Sequence, residues 1–402
     1  MTESSGPAGG WGRFAVAAYG PSTLSAVGHG AIAPLVALSA LDLGASVELS
    51  ALITGLSAIG QLLGDLPASY VATRLGDKFA IVAACLWDAV FLAVAFLAGS
   101  LPLLCLAVFC FGPAGSVFGL ARQSYITEAV SPLVRARALS TLGGAFRVGS
   151  FIGPLAGAWI IGRWNLSAAY AFAACMSVAA AGVTLALPDL PGARARAQRD
   201  QADDAKLGHV LRAHWRVYAT LGTGVLVLAL TRSVRQTILP LWCESLGFSA
   251  QQTSLVYAVS MAVDMSLFFV GGLIMDRFGR LWVAVPSTIV LGLGLVGLAW
   301  ATHPALVVAV AVVLGLGNGV GAGLVMVLGS DASPEVGRAQ FLSGWRLMSD
   351  VGNTLGPFAI SALVRVTASL AVGSVTLGVV ALLGSAWLGY GIRRNPPPGV
   401  RA

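Results

Sequence analysis

Apolar runs of about 20 residues or more recur along the chain from Phe14 to Tyr390. Each is long enough to cross a hydrocarbon core about 30 Å thick as a helix. No soluble fold can bury so many. Of the 402 residues, 57% are hydrophobic and 10% charged, whereas soluble domains carry about 25% charged residues. The fold class is therefore an all-α polytopic membrane protein. Twelve spans are predicted, near 14–40, 49–73, 79–99, 102–127, 137–161, 166–187, 214–242, 251–275, 281–301, 304–329, 339–365 and 369–391. Most turns are short, such as "GSLP" between spans three and four. One long connection divides the chain into an N-terminal six-helix half (1–188), a linker (189–213) and a C-terminal six-helix half (214–402).

The net charge of +7 follows this topology. Arg74, Lys78, Arg135, Arg137, Arg277, Arg280 and Arg338 fall on one side, with the linker and the basic C-terminus. Arg163 and Arg365 fall on the other. Basic loops mark the cytoplasmic side, so both termini and the linker are expected in the cytoplasm and the chain in the cytoplasmic (inner) membrane. The charge reports topology, not nucleic-acid binding. No cleavable signal peptide is visible, because the first apolar run is too long for an h-region. Cys85, Cys105, Cys110, Cys175 and Cys243 are scattered singly through apolar segments, which predicts buried small hydrophobes. The four histidines have no zinc-site spacing, and no metal or cofactor is expected. Leu207, Val210, Leu211 and Trp215 recur at helical spacing beside Arg212 and Arg216, which predicts a short interfacial helix after a flexible linker.

A charged turn, "GGLIMDRFGR" (Gly271–Arg280), separates two apolar spans. A weaker version, "SYVATRLGDK" (Ser69–Lys78), occurs in the first half. Arg74 and Arg277 stand 203 positions apart, as do Gly76 and Gly279. The same separation relates "GSFIGPLAG" from Gly149 to "GNTLGPFAI" from Gly352, and Arg135 to Arg338. One spacing kept through three motifs marks a tandem duplication. An even number of spans per half makes the repeats parallel, the arrangement of transporters with two six-helix halves. Gly279 allows the chain to reverse, and Arg277 and Arg280 anchor the turn. Gly149, Gly153 and Gly157 lie four apart and leave a smooth strip for a neighbouring helix. Pro154 bends that span, and Gly352, Gly356 and Pro357 form a second copy.

Gly272, Asp276, Arg277, Gly279 and Arg280 fit the G-x-x-x-D-R-x-G-R loop between the second and third helices of each half in the major facilitator superfamily. The chain resembles that family over its whole length. In the first-half copy Ser69 replaces the glycine, Thr73 the aspartate and Asp77 a basic residue, which shifts the motif's weight onto Asp276. The resemblance implies that Asp276 faces a helix start in the other half and closes the cytoplasmic side; plain anchoring of the turn is the simpler role. "GSFIGPLAG" resembles the G-x-x-x-G-P-x-x-G motif of drug–proton antiporters, which implies export. Helix packing accounts for the same glycines.

Ionisable residues inside spans are functional hypotheses. Here they are His29, Asp65, Asp88, Arg122, Arg147, Arg232, Arg235, Asp264, Arg346 and Asp350. The resembled fold turns spans three, six, nine and twelve to lipid, and only Asp88 breaks that pattern. It either partners a neighbouring helix or marks a misplaced third span. Asp65, Asp264 and Asp350 are candidate proton carriers, because burial can raise a carboxylate into the range where it exchanges protons. Arg122, Arg147, Arg232, Arg235, Arg346 and His29 are candidate cavity or ion-pair residues. Arg232 and Arg235 share a helix face and either attract a carboxylate or phosphate or snorkel to headgroups near Pro240 and Trp242. Arg122 sits deeper and is the better ligand candidate. Depths in the resembled fold imply ion pairs Asp65–Arg346 and Asp264–Arg147 between the halves; pairing within a half, as of Arg346 with Asp350, is the alternative.

No G-x-x-x-x-G-K-[ST] run is present, so nothing suggests ATP as the energy source. A membrane enzyme would need a metal cluster or a nucleophile with its base, and neither is visible. The expectation is a secondary active transporter that moves a small organic molecule by alternating access, by proton-coupled export. Proton-coupled uptake of an anionic metabolite is the alternative. The expected partners are that molecule, protons and the lipid bilayer, with the chain a monomer.

Overall fold

The computed structural model describes residues 11–130, 134–187, 207–334 and 337–395, and every regular element among them is helical. In chain order these are α1 (Trp11–Ile32), α2 (Leu35–Asp42), α3 (Val47–Leu75), α4 (Asp77–Phe96), α5 (Leu101–Ala129), α6 (Arg135–Arg163) and α7 (Ala168–Leu185). There follow α8 (Leu207–Ala213), α9 (Thr223–Ser245), α10 (Ala250–Phe278), α11 (Leu281–Leu298), α12 (Pro304–Val320), α13 (Leu324–Ala332), α14 (Arg338–Thr367) and α15 (Leu370–Arg394). Most of the predicted linker lies outside the described residues.

Eleven segments of the described chain are long and apolar enough to cross a membrane. The predicted span missing from these is the eleventh, 339–365, which is α14. Its 30 residues exceed the roughly 20 that a bilayer requires, but Arg338, Arg346, Asp350, Asn353 and Arg365 lower its hydropathy. The first and tenth predicted spans are interrupted. Ala33 and Pro34 separate α1 from α2, where proline lacks the N–H a continuous helix needs. Gly321–Gly323 separate α12 from α13.

The chain forms two compact units. The first comprises Met1–Ala33 and Leu63–Gln201, and the second Pro34–Leu62 and Ala202–Ala402, so one of the crossings between units falls within α3.

In the first unit α6 lies directly against α1. A methyl group on Gly149 would sit 2.6 Å from the Thr23 carbonyl oxygen, one on Gly153 2.5 Å from that of Val27, and one on Gly157 2.7 Å from that of Ala31. Backbone cannot retreat from such contacts, so this approach admits only glycine. The second unit repeats the device between α14 and α9. A Cβ on Gly352 would collide with the Leu226 carbonyl, and one on Gly356 would lie 2.8 Å from Ser233 Cβ.

Some local expectations change. The helix α8 does not lie wholly at an interface: Val210 is buried, and Leu211 packs over Gly344 of α14. Beyond it the Tyr218 hydroxyl donates to the Phe341 carbonyl at 2.7 Å. Trp215 is well exposed, at 58%. Trp242, read as a membrane-edge marker, is buried and donates to the Ala301 carbonyl at 3.0 Å. Cys175, expected inside, is exposed.

Candidate functional site

The charged turns are built as the glycines predict. Gly76 and Gly279 have φ of 81° and 92°, and a Cβ on either would meet no atom within 4 Å. Backbone handedness, not space, demands glycine there. Arg280 follows at once, and its Nε donates to Asp331 Oδ2 at 2.7 Å. That hydrogen bond raises the guanidinium above its usual range and keeps it charged at every working pH. Asp331, at the end of α13, is a partner that the sequence did not reveal. Asp276, Arg277 and Arg74 are exposed, and Arg74 and Arg277 lie over the Tyr70 and Phe278 rings.

The second unit buries a charge network. Arg235 on α9 is 2% exposed and Asp264 on α10 is 4% exposed. Arg235 Nη2 lies 3.6 Å from Asp264 Oδ2, and Nη1 donates to Ser260 Oγ at 3.1 Å. Asn318 of α12 donates its amide to the same carboxylate oxygen. Close glycine contacts set this geometry: a methyl on Gly319 would lie 2.5 Å from the Asp264 carbonyl, and one on Gly315 2.5 Å from that of Ser260. Arg235 is therefore neither a snorkelling residue nor an open ligand. Arg232, one turn earlier, donates from Nη2 to the Gly321 carbonyl at 2.5 Å, a group freed by the break between α12 and α13. Arg346 lies 3.5 Å from Asp350 on the same helix.

The first unit buries a different cluster. His29 and Arg232 stand 203 positions apart, at the same place in the two repeats. His29 Nδ1 lies 3.1 Å from the Ser25 carbonyl oxygen. A carbonyl only accepts, so Nδ1 carries a proton. Nε2 lies 3.3 Å from Asp88 Oδ1, and Ser177 Oγ donates to Oδ2 at 2.6 Å. Asp88 of α4 thus joins α1 and α7. This explains the charge on a span expected to face lipid: Asp88 partners neighbouring helices, and α4 lies where the sequence placed it. The imidazole retains 38% of its side-chain exposure and the carboxyl 6%, so one member is reachable and the other enclosed.

Arg122 on α5 is held otherwise. Its guanidinium carbon lies 5.4 Å from the Phe118 ring and 5.3 Å from the Phe146 ring. Asp65 and Arg147 are half-buried on α3 and α6. Ser177, Ser260, Asn318, Phe118 and Phe146 were not singled out by sequence. Single polar or aromatic residues in apolar spans are too common to stand out.

Helical spans in two units, each enclosing an ionisable cluster, define a polytopic membrane transporter. The chain belongs to the major facilitator superfamily, whose family model matches residues 22–229 and 221–402. No curated protein matches the sequence. Among solved structures, the nucleoside transporter NupG superposes with a TM-score of 0.77 at 15% identity, over 96% of this chain and 99% of that one. A bacterial homologue of the human lysosomal transporter Spinster gives 0.75 at 16% identity, over 95% and 97%. The xylose transporter XylE from E. coli gives 0.71 at 14%, over 96% of both. At these identities the likeness establishes the fold. Family membership makes the chain a transporter and not an enzyme.

Proposed function

We propose that the protein is a secondary active transporter that exports a small organic molecule by alternating access in exchange for protons. The observation that carries the coupling is the His29–Asp88–Ser177 cluster. With Nδ1 committed to the Ser25 carbonyl, Nε2 faces the Asp88 carboxylate at 3.3 Å. Gain or loss of a proton at the imidazole changes the charge enclosed in the unit. Asp264 is the weaker coupling residue, because its partner Arg235 cannot shed a proton. Cys85, one turn before Asp88 on α4, is buried, and Phe111 adds a ring edge to His29.

Export is supported by the resemblance of the span-five glycine motif to antiporters. Uptake of an anionic metabolite is the second reading, favoured by Arg122. A thermal-shift screen against metabolites and drugs would identify a cargo. In proteoliposomes, a gradient of that cargo should then drive protons the opposite way, read by an internal pH dye. Co-directional protons would support uptake instead, and cargo crossing with no proton movement would refute coupling.

The asymmetry of basic residues supports both termini facing the cytoplasm across the cytoplasmic membrane. An Arg394→Cys variant in a cysteine-free background should resist an impermeant maleimide in intact cells and react after permeabilisation. Reaction in intact cells would reverse the orientation.

A further inference from the structure

We propose that Arg122 is the ligand for a carboxylate or phosphate group on the transported molecule. The rings of buried Phe118, one turn earlier on α5, and of Phe146 on α6, 43% exposed, both lie near the guanidinium. Ring faces offset part of the charge but leave N–H donors without acceptors. Nε and Nη1 are buried and neither makes a hydrogen bond. Among the described residues no carboxylate reaches Arg122, whereas Arg235 has Asp264, Arg280 has Asp331 and Arg346 has Asp350. An arginine cannot discharge itself, and an enclosed charge without a counter-ion is costly. A bound anion would supply what the protein lacks, and a two-oxygen group suits the planar fork.

There is room for such a group. Gly119 and Gly115 stand three and seven residues before Arg122, on the same helix face. A Cβ on either would meet no atom within 4 Å. With Phe146 as a wall, the space beside the guanidinium suits an apolar or aromatic body attached to the anionic group. The inference relies on the transport reading only in making the anion part of the cargo.

The test uses the full chain in lipid-free micelles, with benzoate and phenyl phosphate as probes and benzamide as the neutral isostere. One of the two anions should raise Tm, and benzamide should not. Affinity for that anion should fall about tenfold or more in Arg122→Gln, as expected when a charged hydrogen bond is lost. Arg122→Lys should retain part of it. Without a probe, Arg122→Gln should melt no lower than the wild type, because an uncompensated charge has been removed. A lower Tm in the unliganded Gln variant would make Arg122 a structural residue. No response to either anion, or equal responses in wild type and Arg122→Gln, would also overturn the proposal. Added phosphatidylglycerol should leave the anion response unchanged; competition would assign the site to a lipid headgroup instead of cargo. No ion gradient is involved, so the outcome is independent of proton coupling.

Discussion

Asp264→Ala should cost about 3–5 kcal/mol, the penalty for leaving a buried charge without its partner. Arg235 is 2% exposed, and arginine side chains do not discharge in proteins, so the helices around it cannot relieve the charge without opening. Asn318 loses its acceptor in the same step. In a unit of this size the melting temperature should fall by more than about 6 °C, read by the thermal unfolding of the purified protein. Arg235→Met alone should also destabilise, by stranding the carboxylate. The double variant Arg235→Met/Asp264→Leu should recover most of the loss, because an apolar pair of similar volume replaces a buried ion pair at little net cost. A melting temperature for Asp264→Ala within about 2 °C of wild type would show that the network does not hold the unit together.

Asp88→Asn should behave in the opposite way, with a small effect on stability and a large one on coupling. Its partner His29 can become neutral by releasing a proton, so removing the carboxylate leaves no obligatory buried charge. Asparagine can still accept from Ser177. The melting temperature should stay within about 2 °C of wild type. Proton-driven movement of cargo should fall to the level of empty vesicles, while exchange of labelled for unlabelled cargo continues. His29→Gln should give the same pattern. Full proton-driven transport in Asp88→Asn would remove the cluster from the mechanism. The contrast between Asp88 and Asp264 therefore tests one physical point: a buried aspartate can be lost cheaply only when its cation can discharge.

Much of the architecture could be read along the chain. The apolar runs give the spans because an isolated stretch of that length has few places to go other than a bilayer. The constant separation of 203 positions reveals the duplication without any coordinates. Gly279 could be assigned a backbone role because the demand for a positive φ is local to the turn. The glycines from Gly149 to Gly157 could be assigned to close packing because their spacing alone puts them on one face.

The partners of the charges were not legible in this way. Asp88 looked misplaced until α1 and α7 brought His29 and Ser177 to it, residues 59 and 89 positions away. Asp264 was matched by depth to Arg147, and the fold brings it Arg235 of the adjoining helix α9, a pairing that the sequence did not suggest. Arg122 looked like one intramembrane arginine among several, and that no carboxylate among the described residues reaches it became visible only in the fold. The sequence by itself determined the helical class, the repeat and the glycine-dependent turns, because helix length, period and φ are properties of adjacent residues. Only the tertiary structure decided which charges meet which partners among the described residues. Helices of similar hydropathy can be rotated about their axes at little local cost, and side-chain contacts between distant segments choose the rotation.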